Sequence, residues 1–162
     1  MFPKLWITLI MVLAPLLTRA VEVGEMAHTF ELPGSQGVVR LADYLGKTVY
    51  LDFWASWCAP CKQSFPWMNE MQARYGAKGL RVVGVNVDQK PAAAQSFLQR
   101  TPAQFELAFD AAGKVPRSYD IKAMPTSVLI GPDGRVLAVH SGFRADERAD
   151  LEGRIRLALG ER

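Results

Sequence analysis

The stretch that decides the fold is Thr48-Val49-Tyr50-Leu51-Asp52-Phe53-Trp54-Ala55-Ser56-Trp57-Cys58-Ala59-Pro60-Cys61. Residues 48–55 are rich in β-branched and aromatic side chains without clean alternation, which predicts a central strand buried on both faces. Asp52 is the one charged side chain in it. Pro60 suits the first turn of a helix. Phe65, Met68 and Met71 then share one side of a helix reaching about Tyr75. Pro66 removes a hydrogen bond from that helix and should kink it, and Gly76 and Gly79 end it. Residues 80–87 form a second apolar, β-branched strand. Strand, helix and strand at this spacing make a βαβ unit, so the two strands should run parallel.

Cys58 and Cys61 are the only cysteines in the chain. They fall where the buried strand turns into the helix. A C-x-x-C pair beside a βαβ pattern signals thiol–disulfide redox chemistry. The thiolate is the reactive form, and a helix N-terminus stabilises negative charge through its free N–H groups and dipole. Cys58 lies at that end and should be the nucleophile. Cys61, one turn on, should face inward and resolve the mixed disulfide that Cys58 forms with a substrate. Three other readings fare worse. A structural bridge would close a loop of only a few residues and remove little unfolded-state entropy. Zinc needs four ligands, and only His28 and His140 could join the cysteines. Covalent haem needs histidine directly after the second cysteine, where Lys62 stands.

Outward from this centre, residues 30–32 and 38–40 flank a turn cluster at 33–37 and read as a hairpin. Residues 41–45 suit one helical turn, ended by Gly46. Beyond the βαβ unit a helix is predicted over 91–100, with Pro91 near its start. A short strand over 105–109, a short helix over 114–119 and a strand over 126–130 follow. Gly131-Pro132-Asp133-Gly134 is a turn that pairs 136–140 back as a hairpin. The final helix is predicted over 145–159, with Leu151, Ile155, Ala158 and Leu159 at helical spacing. Repeats and linkers are lacking, so residues 21–162 are expected to form one domain.

The chain has 162 residues, enough for one domain with a single core. The net charge of +3 comes from 19 basic and 16 acidic side chains spread along the chain, which argues against nucleic-acid binding. Residues 1–20 have the layout of a secretory signal peptide: Lys4 in a short n-region, an apolar run over 5–17, then Thr18-Arg19-Ala20 as a cleavage site. The run is short for a membrane span and holds Pro15; an uncleaved anchor over 5–17 is the alternative. The expected location is the periplasm or an equivalent exported compartment.

Residues 52–62 resemble the active-site run of thioredoxins. Met124-Pro125-Thr126 resembles that family's cis-proline loop, and Pro66 its kink proline. The hairpin lead-in and the long interval between Cys61 and Pro125 resemble the exported TlpA-like branch. The resemblance implies an α/β thioredoxin fold: a mixed central sheet flanked by helices, with an N-terminal β-hairpin and an extra helix–strand insertion. It implies a cis Pro125, with Met124 and Thr126 beside the disulfide as backbone contacts for an extended substrate. It also implies that Asp52 takes the proton of Cys61, with a carboxyl raised by desolvation. Trp57 would flank the reactive sulfur and Trp54 would pack beneath it. Two positions depart from the branch. Relatives resembling cytochrome c maturation reductases carry glutamate where this chain has Ser64, and many have another residue at the position of Asp52. Both differences speak against a dedicated role in cytochrome c maturation.

The expected activity is therefore an exported protein disulfide reductase acting on protein thiols and disulfides. Ala59-Pro60 adds no charge between the cysteines, which favours a reducing couple over an oxidase or isomerase. With no nucleotide-binding glycine motif, electrons should come from a partner, by resemblance a membrane thiol transporter. No cofactor or metal is expected, and nothing in the sequence suggests assembly beyond a monomer. A peroxidase would need a hydroxyl residue where Ala55 stands. A copper carrier would use the soft thiolates together with His140.

Overall fold

The computed structural model describes residues 21–161; the predicted export segment, residues 1–20, lies outside them. The decisive run forms strand β3 (Thr48–Trp54), all seven residues of which are buried. β3 pairs in parallel with β4 (Leu80–Asn86), as the βαβ reading requires. β4 in turn pairs in parallel with β5 (Glu106–Phe109). On the other side of β3, β6 (Thr126–Ile130) runs antiparallel and carries β7 (Val136–Ser141) at the sheet edge. The N-terminal hairpin, β1 (Glu31–Gly34) and β2 (Gly37–Arg40), joins through β5. The seven-stranded mixed sheet therefore has the order β2-β1-β5-β4-β3-β6-β7.

Alternation along β3 divides the core in two. Tyr50 and Trp54 point to a layer made by α1 (Cys61–Tyr75), α2 (Pro91–Arg100) and α4 (Arg148–Ala158). Leu51 and Phe53 point the other way, to α3 (Lys114–Ser118), the single helical turn Leu41–Tyr44 and the N-terminal segment. Coverage on both faces is why β3 shows no polar alternation. In α1 the buried set is wider than Phe65, Met68 and Met71, and includes Trp67 and Tyr75. The expected final helix is divided: a tight turn over Ala145–Glu147 precedes α4, with the Glu147 N–H bonded to the Arg144 carbonyl at 3.2 Å.

The hairpin turn is also tighter than its turn-rich composition suggests, because Gly34 and Gly37 are strand residues. A Cβ on Gly34 would lie 2.5 Å from Val39 Cγ2 and 2.8 Å from the Leu107 carbonyl oxygen, so only glycine lets the hairpin dock on β5. Gly84 is similarly constrained at the centre of β4. A Cβ there would meet Phe105 at 3.0 Å, Trp54 Nε1 at 3.2 Å and Leu107 at 3.3 Å. Gly84→Ala is expected to lower stability by about 1–3 kcal/mol through overpacking, read as a lower denaturant midpoint at unchanged slope.

Both ends of the described chain are fixed at the edge where β3 and β4 begin. The Gly24 and Ala27 amides donate to the Val136 and Gly134 carbonyls at 2.8 and 2.9 Å. Thr48 Oγ1 donates to the Ala158 carbonyl at 3.3 Å, and Lys78 pairs with Glu161 at 2.6 Å.

Candidate active site

At the far end of β3 the chain leaves the sheet and folds into α1 over a few residues. The Cys58 amide donates to the Ala55 carbonyl at 3.1 Å, closing a turn. Pro60, in helical conformation at φ −63° and ψ −25°, precedes the helix. Cys58 and Cys61 are joined in a disulfide with an S–S distance of 2.06 Å and Cα atoms 5.4 Å apart. The Cys61 amide donates to Cys58 Sγ at 3.2 Å. That sulfur thus lies at the helix N-terminus, where amide donors and the dipole stabilise a thiolate. Cys61 is fully buried and Cys58 is 4% exposed, so the pair meets solvent only at the Cys58 rim. Trp57 stands beside that rim and is 70% exposed.

A clamp that sequence reading missed holds this turn. The Ser56 amide and hydroxyl donate to the two carboxylate oxygens of Asp88, each at 2.9 Å. Asn86 Nδ2 donates to Asp88 Oδ2 at 2.8 Å, and the Asp88 amide returns a bond to Asn86 Oδ1. The only signal was a polar pair, Asn86 and Asp88, where a largely apolar strand ends.

Asp52 is 2% exposed, and its Oδ2 is buried without a hydrogen-bond partner. Burial holds its carboxyl well above the usual carboxylate range. It is neither ion-paired nor at an edge. By alternation it projects to the α1 side with Tyr50 and Trp54, which pack in one cluster with Cys58 and Cys61. Trp54 is core: its ring centroid lies 4.9 Å from those of Phe65 and Phe97.

The Met124–Pro125 peptide bond is cis. Pro125 immediately precedes β6, whose Thr126 pairs with Phe53 near the end of β3. The Pro125 carbonyl accepts from the Gly142 amide at 2.7 Å, and Thr126 Oγ1 donates to the Ala123 carbonyl at 2.7 Å. Among the described residues, the Met124 N–H and C=O have no backbone partner. Ser64 is buried and donates its hydroxyl to the Cys61 carbonyl at 3.2 Å. His140 lies two strands from β3 and faces Glu147. Among the described residues no group of three or more His, Cys, Asp or Glu is arranged to hold a metal ion.

The AhpC/TSA family model matches residues 23–139. The chain is 34% identical over 125 residues to the thiol-disulfide oxidoreductase ResA of Bacillus subtilis (strain 168), covering 76% of this chain and 70% of that protein. It is 55% identical to a crystal structure assigned to the thiol:disulfide interchange protein DsbE of Chlorobium tepidum. That match has a TM-score of 0.86 and covers 87% of this chain and all of the other. The exposed lipoprotein thioredoxin Etrx1 of Streptococcus pneumoniae strain TIGR4 is 31% identical, with a TM-score of 0.68 over 78% of this chain and 98% of that one.

Proposed function

The chain belongs to the AhpC/TSA family and is a thiol–disulfide oxidoreductase, and from that premise we propose that it is an exported protein disulfide reductase. The observation that carries the reading is the dithiol pair at the start of α1, one sulfur at the rim and one buried, on the same face of the sheet as the unpartnered carboxyl of Asp52. In the reduced protein the Cys58 thiolate attacks one sulfur of a substrate disulfide, and the other substrate sulfur leaves as a thiolate. Asp52 takes the Cys61 proton, and the Cys61 sulfur attacks Cys58. The second substrate thiolate is then released and the Cys58–Cys61 disulfide restored. Met124 supports substrate pairing: its free N–H and C=O can bond an extended segment beside the disulfide, while the Pro125 and Thr126 contacts hold the loop. Trp57 offers apolar area to that segment, and the Asp88 clamp keeps the turn in place.

The reducing direction rests on Ala59 and Pro60, which add no positive charge to stabilise the Cys58 thiolate. Electrons then come from a membrane thiol donor. Export rests on the layout of residues 1–20 and is consistent with the likeness to an exposed lipoprotein. Among the described residues no helix is long and apolar enough to cross a membrane. The test is the equilibrium potential of the Cys58–Cys61 couple in residues 21–162, titrated against a thiol buffer. A value near the thioredoxin end, about −270 mV, is expected; one near about −120 mV would mean that the protein donates disulfides.

A further inference from the structure

A buried base must be emptied once per turnover, and Asp52 has little access to solvent. On the α1 side of the sheet its β4 neighbour is Gly84, which offers no side chain. Trp54, next on the same face of β3, is wholly buried, as is Cys61. The polar neighbour lies across β6. Asp52 pairs with Ser127, and Ser127 pairs with His140 of β7. Directly opposed residues project to one face with Cβ atoms about 4.5–5.5 Å apart. The three side chains therefore form a row across the strands, which α4 covers.

Three further observations lie on that row. First, a cavity of about 10 Å³ lies on the row, lined by Tyr50, Ser127 and His140 together with the apolar side chains of Leu129, Leu151 and Ile155. Arg154 turns its guanidinium to Asp150 at 2.9 Å, not to the row. Second, four buried side-chain nitrogen or oxygen atoms among the described residues lack a hydrogen-bond partner. Two are indole nitrogens; the other two, Asp52 Oδ2 and His140 Nε2, belong to proton-carrying side chains at opposite ends of the row. Third, His140 Nε2 lies 3.3 Å from Glu147 Oε2, whose side chain is 34% exposed. The row thus begins at a closed carboxyl and ends at an open one.

We propose that Ser127 and His140, ending at Glu147, are the route by which Asp52 returns its proton to solvent. The inference rests on the reading of Asp52 as the base for Cys61. The Cys61 proton passes to the Asp52 carboxylate as the Cys61–Cys58 bond forms and the bond to substrate breaks. The neutral carboxyl then passes a proton through the Ser127 hydroxyl to one imidazole nitrogen of His140. The other nitrogen releases one to Glu147 and water. No electrons move in this step, and each hydroxyl and imidazole is returned to its starting state. Ser127 and His140 are positioning residues, not groups that touch substrate.

The test follows Asp52 directly in the oxidised protein, without substrate. After a rapid pH jump, the infrared band of the protonated carboxyl, identified by its loss in Asp52→Asn, reports proton exchange. His140→Gln and Ser127→Ala are expected to slow that exchange at least tenfold. In His140→Ala, added imidazole should restore it, which a purely structural role for the ring would not allow. Rates within twofold of the parent in both His140→Gln and Ser127→Ala would overturn the route, as would slowing in His140→Ala that imidazole does not relieve. Failure of the base reading looks different: Asp52→Asn would leave resolution by Cys61 unslowed, whatever the exchange rates.

Discussion

Cys61→Ser is expected to arrest the protein after one event, leaving a stable mixed disulfide between Cys58 and its substrate. Cys58 keeps its place at the rim of α1, with the Cys61 position still presenting a backbone amide to its sulfur. The attack therefore survives. What is lost is the only internal sulfur able to displace the substrate, because the chain has no third cysteine. Mass spectrometry of the variant with a disulfide-bonded peptide should show one equivalent of adduct that persists until external thiol is added. Cys58→Ser should form no adduct, since Cys61 is wholly buried, and turnover should fall by about 10³-fold or more, as when an enzyme loses its nucleophile. An adduct on Cys61 in that variant would reverse the assigned roles.

Asp52→Asn is expected to separate two effects of one buried carboxyl. Kinetically, resolution of the mixed disulfide should slow by about 10²-fold near neutral pH, the lower end of what general acid–base catalysis contributes. Unchanged resolution above pH 7 would refute the base role. Thermodynamically, the same substitution should stabilise the protein at neutral and alkaline pH. Burial raises the Asp52 carboxyl in the folded state, whereas in the unfolded chain it titrates near its ordinary value of about 3.9. Between those two points the folded state holds the extra proton. Stability therefore declines as pH rises, by about 1.4 kcal/mol for each pH unit inside the window, and levels off above the folded-state value. Asp52→Asn should remove that slope. Chemical denaturation of both proteins from pH 4 to pH 9 measures it, and parallel curves would show that Asp52 is not strained by burial.

The central βαβ unit was legible because its signals are local: β-branched runs, a helix-starting proline and terminating glycines. The position of Cys58 and Cys61 followed from the same signals, since a strand-to-helix junction places a sulfur at a helix N-terminus whatever surrounds it. The isolated Asp52 stood out as a charge in a strand with no polar face. The Asp88 clamp on Ser56 was not legible, because it joins residues far apart through the parallel pairing of β3 and β4. Nor was the Asp52–Ser127–His140 row, which depends on the register of three strands. A shift of one residue would send those side chains to the opposite face. His140 looked like an isolated histidine with at most a copper-binding role; its contact with Glu147 appears only once β7 and the turn before α4 are in place.

The two ends of the described chain meet the sheet where β3 and β4 begin, one strand length from the disulfide, about 20 Å away. This makes the molecule modular. A reporter, affinity handle or second domain joined at either end would emerge at the pole remote from Trp57 and Met124 and leave the reactive rim clear. The same polarity would orient a tethered copy: held by its N-terminal end, the protein would present Cys58 outward from its point of attachment.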